Sequence, residues 1–289
     1  MTTLGAVFLP TTPPERLGAV ARTADESGLE KLWVWEDCFE AGAVSATSAV
    51  LGWTQRLHVG IGVLPVPLRN VALTAMETAT LHRLFPGRVD VGLGHGVQGW
   101  MGQVGARVES PLTLLEEYAN ALRALLAGSR VTTAGRYVTL DGVRLHWPPA
   151  DPPRLLAGAQ GPRSMRLSGQ VADGTILVAG TTPDGVRAAR ALVDEGRAAA
   201  GRMDPHPLIV YLLAATGAGA RERAEGGRPS WSRPGEDVLA VGDGPAVADA
   251  VQRWADAGAQ EVVLQPTPDD PDPEGFVRFV AEQVRPLVR

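Results

Sequence analysis

The stretch that decides the fold runs from Gly60 to Gly96. It opens as G-I-G-V-L-P-V-P-L-R-N-V (60–71) and closes as F-P-G-R-V-D-V-G-L-G-H-G (85–96). A short apolar run, Leu57–Val63, leads into a turn-rich segment holding Pro65 and Pro67. Residues from about Val71 to Leu84 follow a helical spacing, and a second apolar run, Val89–Leu93, ends on Gly94-His95-Gly96. Runs this short and this continuously apolar are strands covered on both faces, not half-exposed hairpin strands. The stretch predicts one βαβ unit whose strands exit into small or rigid residues that let another molecule approach the backbone.

Working outward gives more of the same unit. Toward the N-terminus, Leu4–Leu9 and Lys31–Trp35 read as buried strands, with helices over Glu15–Ser27, closed by Gly28, and over Ala43–Trp53. Toward the C-terminus, Leu112–Leu126 is an amphipathic helix. Arg136–Leu140 and Val143–Trp147, joined at Asp141-Gly142, predict a β-hairpin with a type I′ turn. Arg154–Ala157, Gly174–Val178, Pro207–Ala214 and Glu261–Gln265 are further strands. Helices start near Arg163, after the Thr182 cap, at Pro245 and at Asp272-Pro273. Ala215–Pro234, rich in Gly, Arg, Ser and Pro, reads as a mobile loop (about 215–236) over one end. Eight buried strands separated by helices imply parallel strands with right-handed crossovers. The expected fold is therefore an α/β (β/α)8 TIM barrel, one domain over 1–289, with a β-hairpin insertion (about 97–153) after strand 4. An open doubly wound sheet is the competing arrangement. No Gly-x-Gly-x-x-Gly opens the chain, and the units continue evenly to its end.

Composition removes several function classes. The 289 residues carry a net charge of −5 with no basic cluster, which argues against nucleic acid as a partner. No apolar run reaches the ~18 residues of a membrane span, and the N-terminus lacks a signal-peptide pattern, so a cytoplasmic protein is expected. The single Cys38 excludes an internal disulfide and a cysteine-rich metal site. Lys31 is the only lysine, which removes most Schiff-base schemes.

In a barrel, ligand groups gather where strands run out. Here those ends offer Glu36, Asp37 and Cys38; Gly62, Val63, Leu64 and Pro65; Gly94, His95 and Gly96; and Gly158, Ala159, Gln160, Gly161, Pro162 and Arg163. His95 is the one histidine at a strand end. No histidine pair has metal-ligand spacing, the carboxylates do not cluster, and no metal is expected. No Gly-x-Ser-x-Gly or Walker A pattern is present. Asp37, Cys38 and His95 are the candidate reacting side chains. Walls of glycine, proline and small apolar residues suit a flat cofactor that does the chemistry itself, and the helix start after Gly158–Pro162, with Arg163, suits a phosphate. Each feature also has a purely structural counterpart: glycine at a turn, Cys38 as a small filler, His95 as polar surface.

Together, G-I-G-V-L-P-V-P-L-R-N, T-A-M-E-T-A-T-L-H-R-L-F-P-G-R-V-D-V-G-L-G-H-G and G-A-Q-G-P-R-S-M-R-L-S-G-Q-V-A-D-G-T-I-L resemble the luciferase-like family of flavin- and F420-dependent oxidoreductases. The likeness is strongest to its F420-dependent branch, and the G-A-Q-G-P stretch is similar to the methylene-tetrahydromethanopterin reductases. The resemblance implies hydride transfer between coenzyme F420 and a small organic substrate. The alternatives are an FMN-dependent monooxygenase using reduced flavin and O2, and a non-catalytic flavin-binding barrel. It implies a bulge at the end of the third strand, often with a non-prolyl cis peptide, matched here by Gly62-Val63 and pressing on the cofactor ring. Asp37, Leu64, His95 and Gly96 would line the ring too, and Gly158, Ala159, Gln160, Gly161, Pro162 and Arg163 would hold the phosphate side. A homodimer is a further expectation. Two positions depart from the pattern: Cys38 stands where dehydrogenases of the branch carry His, and Val7 where the pterin reductases carry Glu.

Overall fold

The computed structural model of the chain describes residues 2–289. Strands β1 (Thr3–Val7), β2 (Lys31–Val34), β3 (His58–Pro65) and β4 (Val89–Gly94) are separated by helices α1 (Leu17–Glu26), α2 (Ala43–Trp53) and α3 (Val71–Leu84). Then follow α4 (Gln98–Gln103), α5 (Pro111–Leu126), β5 (Val131–Ala134), β6 (Thr139–Val143), β7 (Leu155–Ala159), α6 (Pro162–Val171), β8 (Gly174–Leu177) and α7 (Pro183–Ala199). The chain ends with β9 (Leu208–Ala215), α8 (Ala220–Gly226), β10 (Leu239–Val241), α9 (Gly244–Asp256), β11 (Glu261–Pro266) and α10 (Pro273–Phe279). Side chains cap several helices as their sequences require: Asn70, Thr182, Asp243 and Asp272 each accept from a first-turn N–H.

Parallel pairing runs β1-β2-β3-β4-β7-β8-β9-β11 and back to β1, closing eight strands into a (β/α)8 barrel. β10 extends β9 at Leu213–Ala215, beyond the last β8 pair at Leu177–Val210. Because side chains alternate along a strand, each strand feeds two cores. One face, with Leu4, Leu32, Val59 and Val91, packs on the helices. The other fills the barrel with Val7, Trp33, Leu156, Ile176, Ile209, Tyr211 and Val263. Trp33 fits because its neighbours on β3 and β1 are glycines: a Cβ on Gly60 would stand 2.4 Å from the indole, and one on Gly5 3.0 Å. At the base, Lys31 Nζ donates to Asp90 Oδ2 (2.6 Å) and Glu261 Oε2 (2.9 Å), and Trp33 Nε1 donates to Glu261 Oε1 (2.7 Å).

Three expectations need correction. The hairpin is present, but its turn lies at Gly135–Val138 and not at Asp141-Gly142, so the arms are 131–134 and 139–143. Gly135 N donates to Val138 O, and Glu117 of α5 accepts the N–H groups of Arg136, Tyr137 and Val138 (2.8, 2.8 and 3.0 Å). A carboxylate on a neighbouring helix thus places the turn, and Asp141-Gly142 becomes a bulge within β6, with Gly142 at φ +60°. Second, α5 packs on α3, α6 and β4 as a regular helix of the outer ring. The insertion after β4 therefore reduces to α4 with its loops and, beyond α5, the hairpin. Third, the segment after Ala215 is not all loop: it holds α8, and Trp231 Nε1 donates to Ala179 O at 3.2 Å. Among the described residues, no helix is long and apolar enough to cross a membrane.

Candidate functional site

The mouth of the barrel, at the C-terminal ends of the strands, is built around a defect in β3. Between Ile61 and Leu64 this strand advances three residues while β4 advances two, Val91 to Leu93. The Gly62–Val63 peptide within the bulge is cis, as is Cys38–Phe39 beyond β2. The Val63 side chain lies across β4 and β7. A Cβ on Gly94 would stand 2.3 Å from Val63 Cγ2, and Cβ atoms on Gly92 and Gly158 would stand 3.2 and 3.1 Å from Cγ1. These glycines seat the bulge. Tyr211 braces it from below, its Oη donating to Gly62 O at 3.2 Å, while Glu36 N donates to Val63 O at 3.3 Å. Burial pushes the Tyr211 phenol well above its ordinary range, so it stays a neutral donor. Trp33 and Trp35 both meet it edge-on, with ring centroids 5.9 and 5.6 Å away.

The bulge lines a cleft of about 570 Å³, within the range of small-molecule sites. Its walls are chiefly apolar: Trp35, Val63, Trp100, Met101, Ala179 and Trp231 among them. Asp37, Cys38, Gly62, Gly96 and Gln160 also face it. Trp35 Nε1 donates to Asp37 Oδ2 at 2.8 Å, which favours the carboxylate, but burial is the larger influence and raises the Asp37 pKa. Burial and the neighbouring Asp37 and Glu36 push the Cys38 thiol up as well, so it remains a thiol and not a nucleophilic thiolate.

A second cleft of about 500 Å³ holds His95, Gly161, Pro162 and Arg163, with Ser110 and Pro111 opposite. The first turns of α5 and α6 both border it. His95 Nδ1 lies 3.3 Å from Pro111 O, and burial lowers its pKa, so the ring is neutral. Ser164 Oγ accepts from Gln160 and Gly161 N–H (3.2 and 3.1 Å) and fixes the turn into α6. The two clefts adjoin, since neighbours His95 and Gly96, and Gln160 and Gly161, are divided between them.

The structure therefore splits the residues singled out from sequence. His95 is turned toward the second cleft, apart from Asp37 and Cys38. Leu64 and Ala159 are buried, and Gly158 packs on Val63; none of the three lines either cleft. Tyr211, Trp231, Val178 and Ala179 were missed. Tyr211 sits mid-strand in a continuous apolar run, where its single hydroxyl was the one available signal. Among the described residues, no group of three or more His, Cys, Asp or Glu could hold a metal ion.

Residues 2–261 match the family described as luciferase-like monooxygenase. The chain is 33% identical over 213 residues to the 5,10-methylenetetrahydromethanopterin reductase of Methanolobus tindarius, covering 73% of this chain and 64% of that one. It is 33% identical over 313 aligned positions to the F420-dependent hydroxymycolic acid dehydrogenase of Mycobacterium tuberculosis, covering 95% and 85%. The chain spans only 64%, 54% and 62% of the length of the first curated relatives it matches. Among solved structures, an F420-dependent secondary alcohol dehydrogenase in complex with an F420-acetone adduct superposes at a TM-score of 0.88 over 100% of this chain and 99% of that one. At 22% identity that is a likeness of fold. Since the family match takes in the barrel from β1 to the start of β11, the chain belongs to the luciferase-like monooxygenase family.

Proposed function

We propose that this chain is an oxidoreductase that moves a hydride between coenzyme F420 and a small organic substrate at the barrel mouth. One observation carries the reading: the Gly62–Val63 bulge, braced by Tyr211, forms a rigid backbone wall in an otherwise apolar cleft. Such a wall suits a flat ring whose chemistry resides in the cofactor. The likeness to the mycobacterial F420-dependent hydroxymycolic acid dehydrogenase, 33% identical over 95% of this chain, favours F420 over a flavin.

The residues present fit that cofactor. Trp35, Val63 and Ala179 would flank the ring, with Asp37, Gly62, Gly96 and Gln160 around it. His95, Gly161, Pro162 and Arg163 would take the tail, where two helix starts and a guanidinium favour a phosphate. Leu64, Gly158 and Ala159 act from behind as support. When bound, F420 supplies the hydride. We assign the accompanying proton to Asp37: its carboxyl lines the cleft, burial raises its pKa, Cys38 stays a thiol and His95 faces the other cleft. The segment from Gly227 to Trp231 covers one side of the cleft as a lid.

Titration of the purified chain with F420 and with FMN, followed by fluorescence, tests the reading. Saturable F420 binding with weaker FMN binding is expected. Preferential FMN binding together with oxygen uptake from reduced FMN would replace it with an FMN-dependent monooxygenase. Binding of neither would leave a non-catalytic barrel.

A further inference from the structure

The mouth cleft is walled by three indoles from three separate elements: Trp35 beyond β2, Trp100 on α4 and Trp231 from the segment before β10. Two of them are fixed by hydrogen bonds. Trp35 is tied to Asp37, and Trp231 donates to Ala179 O and lies against Gly180, where a Cβ would stand 2.8 Å from its Nε1. Gly180 has φ +91°, so this position both needs and exploits the missing side chain. Trp231 is nevertheless 59% exposed, and the lining continues with Val97 at 51%. Exposed apolar residues continuous with a cleft mark a binding surface.

The cleft lining offers no cation. Glu36 and Asp37 line the cleft, and no arginine, lysine or histidine does. The nearby Arg69 is engaged by Glu36 at 3.1 Å and by Glu77. An anionic ligand entering here would lose its water and find no counter-charge, a heavy penalty in an apolar site. A flat neutral ligand would stack on the indoles and displace water at no such penalty.

We infer that the substrate of this site is a flat, apolar molecule without negative charge, and that Trp100 and Trp231 select it. The inference rests on the hydride-transfer reading only in calling the ligand a substrate. For a ketone, the hydride that bound reduced F420 would supply would add to the carbonyl carbon while the C=O π pair takes the Asp37 proton; the proton released as the cofactor is oxidised would restore Asp37 through solvent, so ketone and reduced F420 give alcohol and oxidised F420.

A matched pair of probes tests it. 2-Acetonaphthone and 2-naphthoate share a ring system and differ in replacing a neutral acetyl group with a carboxylate. Equilibrium dialysis at pH 7 with the full chain should show the ketone binding at least tenfold more tightly. Trp231→Ala and Trp100→Ala should each weaken the ketone at least fivefold with unchanged melting temperature, and Trp231→Phe should recover most of that loss. Glucose 6-phosphate should not bind. Equal or tighter binding of naphthoate, failure of the ketone to bind, or indifference to both tryptophan variants would overturn the inference. F420 titration is read separately. If F420 fails to bind while the naphthyl preference persists, the proposed reaction falls and the recognition stands. The opposite pattern sinks only the recognition.

Discussion

The two ends of the barrel solve opposite problems with the same alternation of side chains. At the base, inward positions carry Lys31, Asp90 and Glu261, and every charge faces a partner. At the mouth, the inward position four residues on from Lys31 is Trp35, just beyond β2, and the carboxyl groups that remain, Glu36 and Asp37, belong to the loop. The base is closed by mutual attraction. The mouth is held open by a bulge that glycines accommodate. Polar groups buried in a closed network stabilise one arrangement, whereas an apolar wall with few partners is available to a ligand.

Opening the base should disturb the barrel most. In Lys31→Met, Asp90 and Glu261 would remain near each other without the buried cation between them, leaving only the exposed Arg154 at 3.4 Å from Asp90, and removing one partner of a buried ion network costs about 3–5 kcal/mol. The partnered state lowers the Asp90 pKa despite burial, through Lys31. Asp90 therefore contributes stability above its unfolded pKa, lost as pH falls through the lower folded value. Urea unfolding at pH 7 should show the loss in Lys31→Met. A variant as stable as the native chain would mean that the base is not a closed network.

At the mouth, the matching change should act on rate and leave stability alone. Asp37→Asn keeps an oxygen for the Trp35 N–H but has no proton to give, and losing a general acid costs about 10²-fold or more. Because the folded pKa of Asp37 is raised, its ionised form is disfavoured by folding at neutral pH, so Asp37→Asn should unfold no more easily. In the native chain, ketone reduction should decline as pH rises through that raised pKa. The same limb should be absent from the variant. A native pH profile without this limb would remove Asp37 from the reaction.

The seat of the bulge lies between these extremes. Gly94→Ala forces a Cβ to within 2.3 Å of Val63 Cγ2, and overpacking of this kind costs about 1–3 kcal/mol. Cofactor binding should weaken with it. Adding Val63→Ala removes the clashing methyls, and the double variant should recover most of the stability. If the two losses merely add, Val63 does not occupy the space that Gly94 leaves.

The contrast also explains what the sequence could reveal. Apolar runs and helical spacings recur locally, so the eight barrel strands and the βαβ unit at 60–96 were legible. Gly94-His95-Gly96 was legible as a strand exit, but its glycines pointed to a ligand when their nearer duty is to Val63. That contact joins residues 31 positions apart and turns on a bulge that periodicity does not register. The hairpin turn failed for a similar reason. Asp141-Gly142 has the local chemistry of a tight turn, but the Glu117 carboxylate binds three N–H groups elsewhere and outweighs it. His95 was correctly placed at a strand end. Which of two adjoining clefts it enters depends on α5, whose Pro111 carbonyl meets the ring.

The finest distinction between the ends rests on one hydroxyl. Tyr211 stands above Trp33, which is itself tied to Glu261, so base and mouth meet at this residue. Tyr211→Phe keeps the ring and its edge-on contacts and removes the donor to Gly62 O. The lost hydrogen bond should cost only about 1 kcal/mol of stability. If the base alone orders the barrel interior, cofactor affinity should be unchanged, because the Trp33–Glu261 tie survives. If Tyr211 holds the bulge in register for the ring, F420 affinity should fall by more than stability does. Ketone reduction should then lose rate at saturating F420 as well. We expect the second outcome, because the Tyr211 Oη bond to Gly62 O ties the bulge to the packed barrel interior.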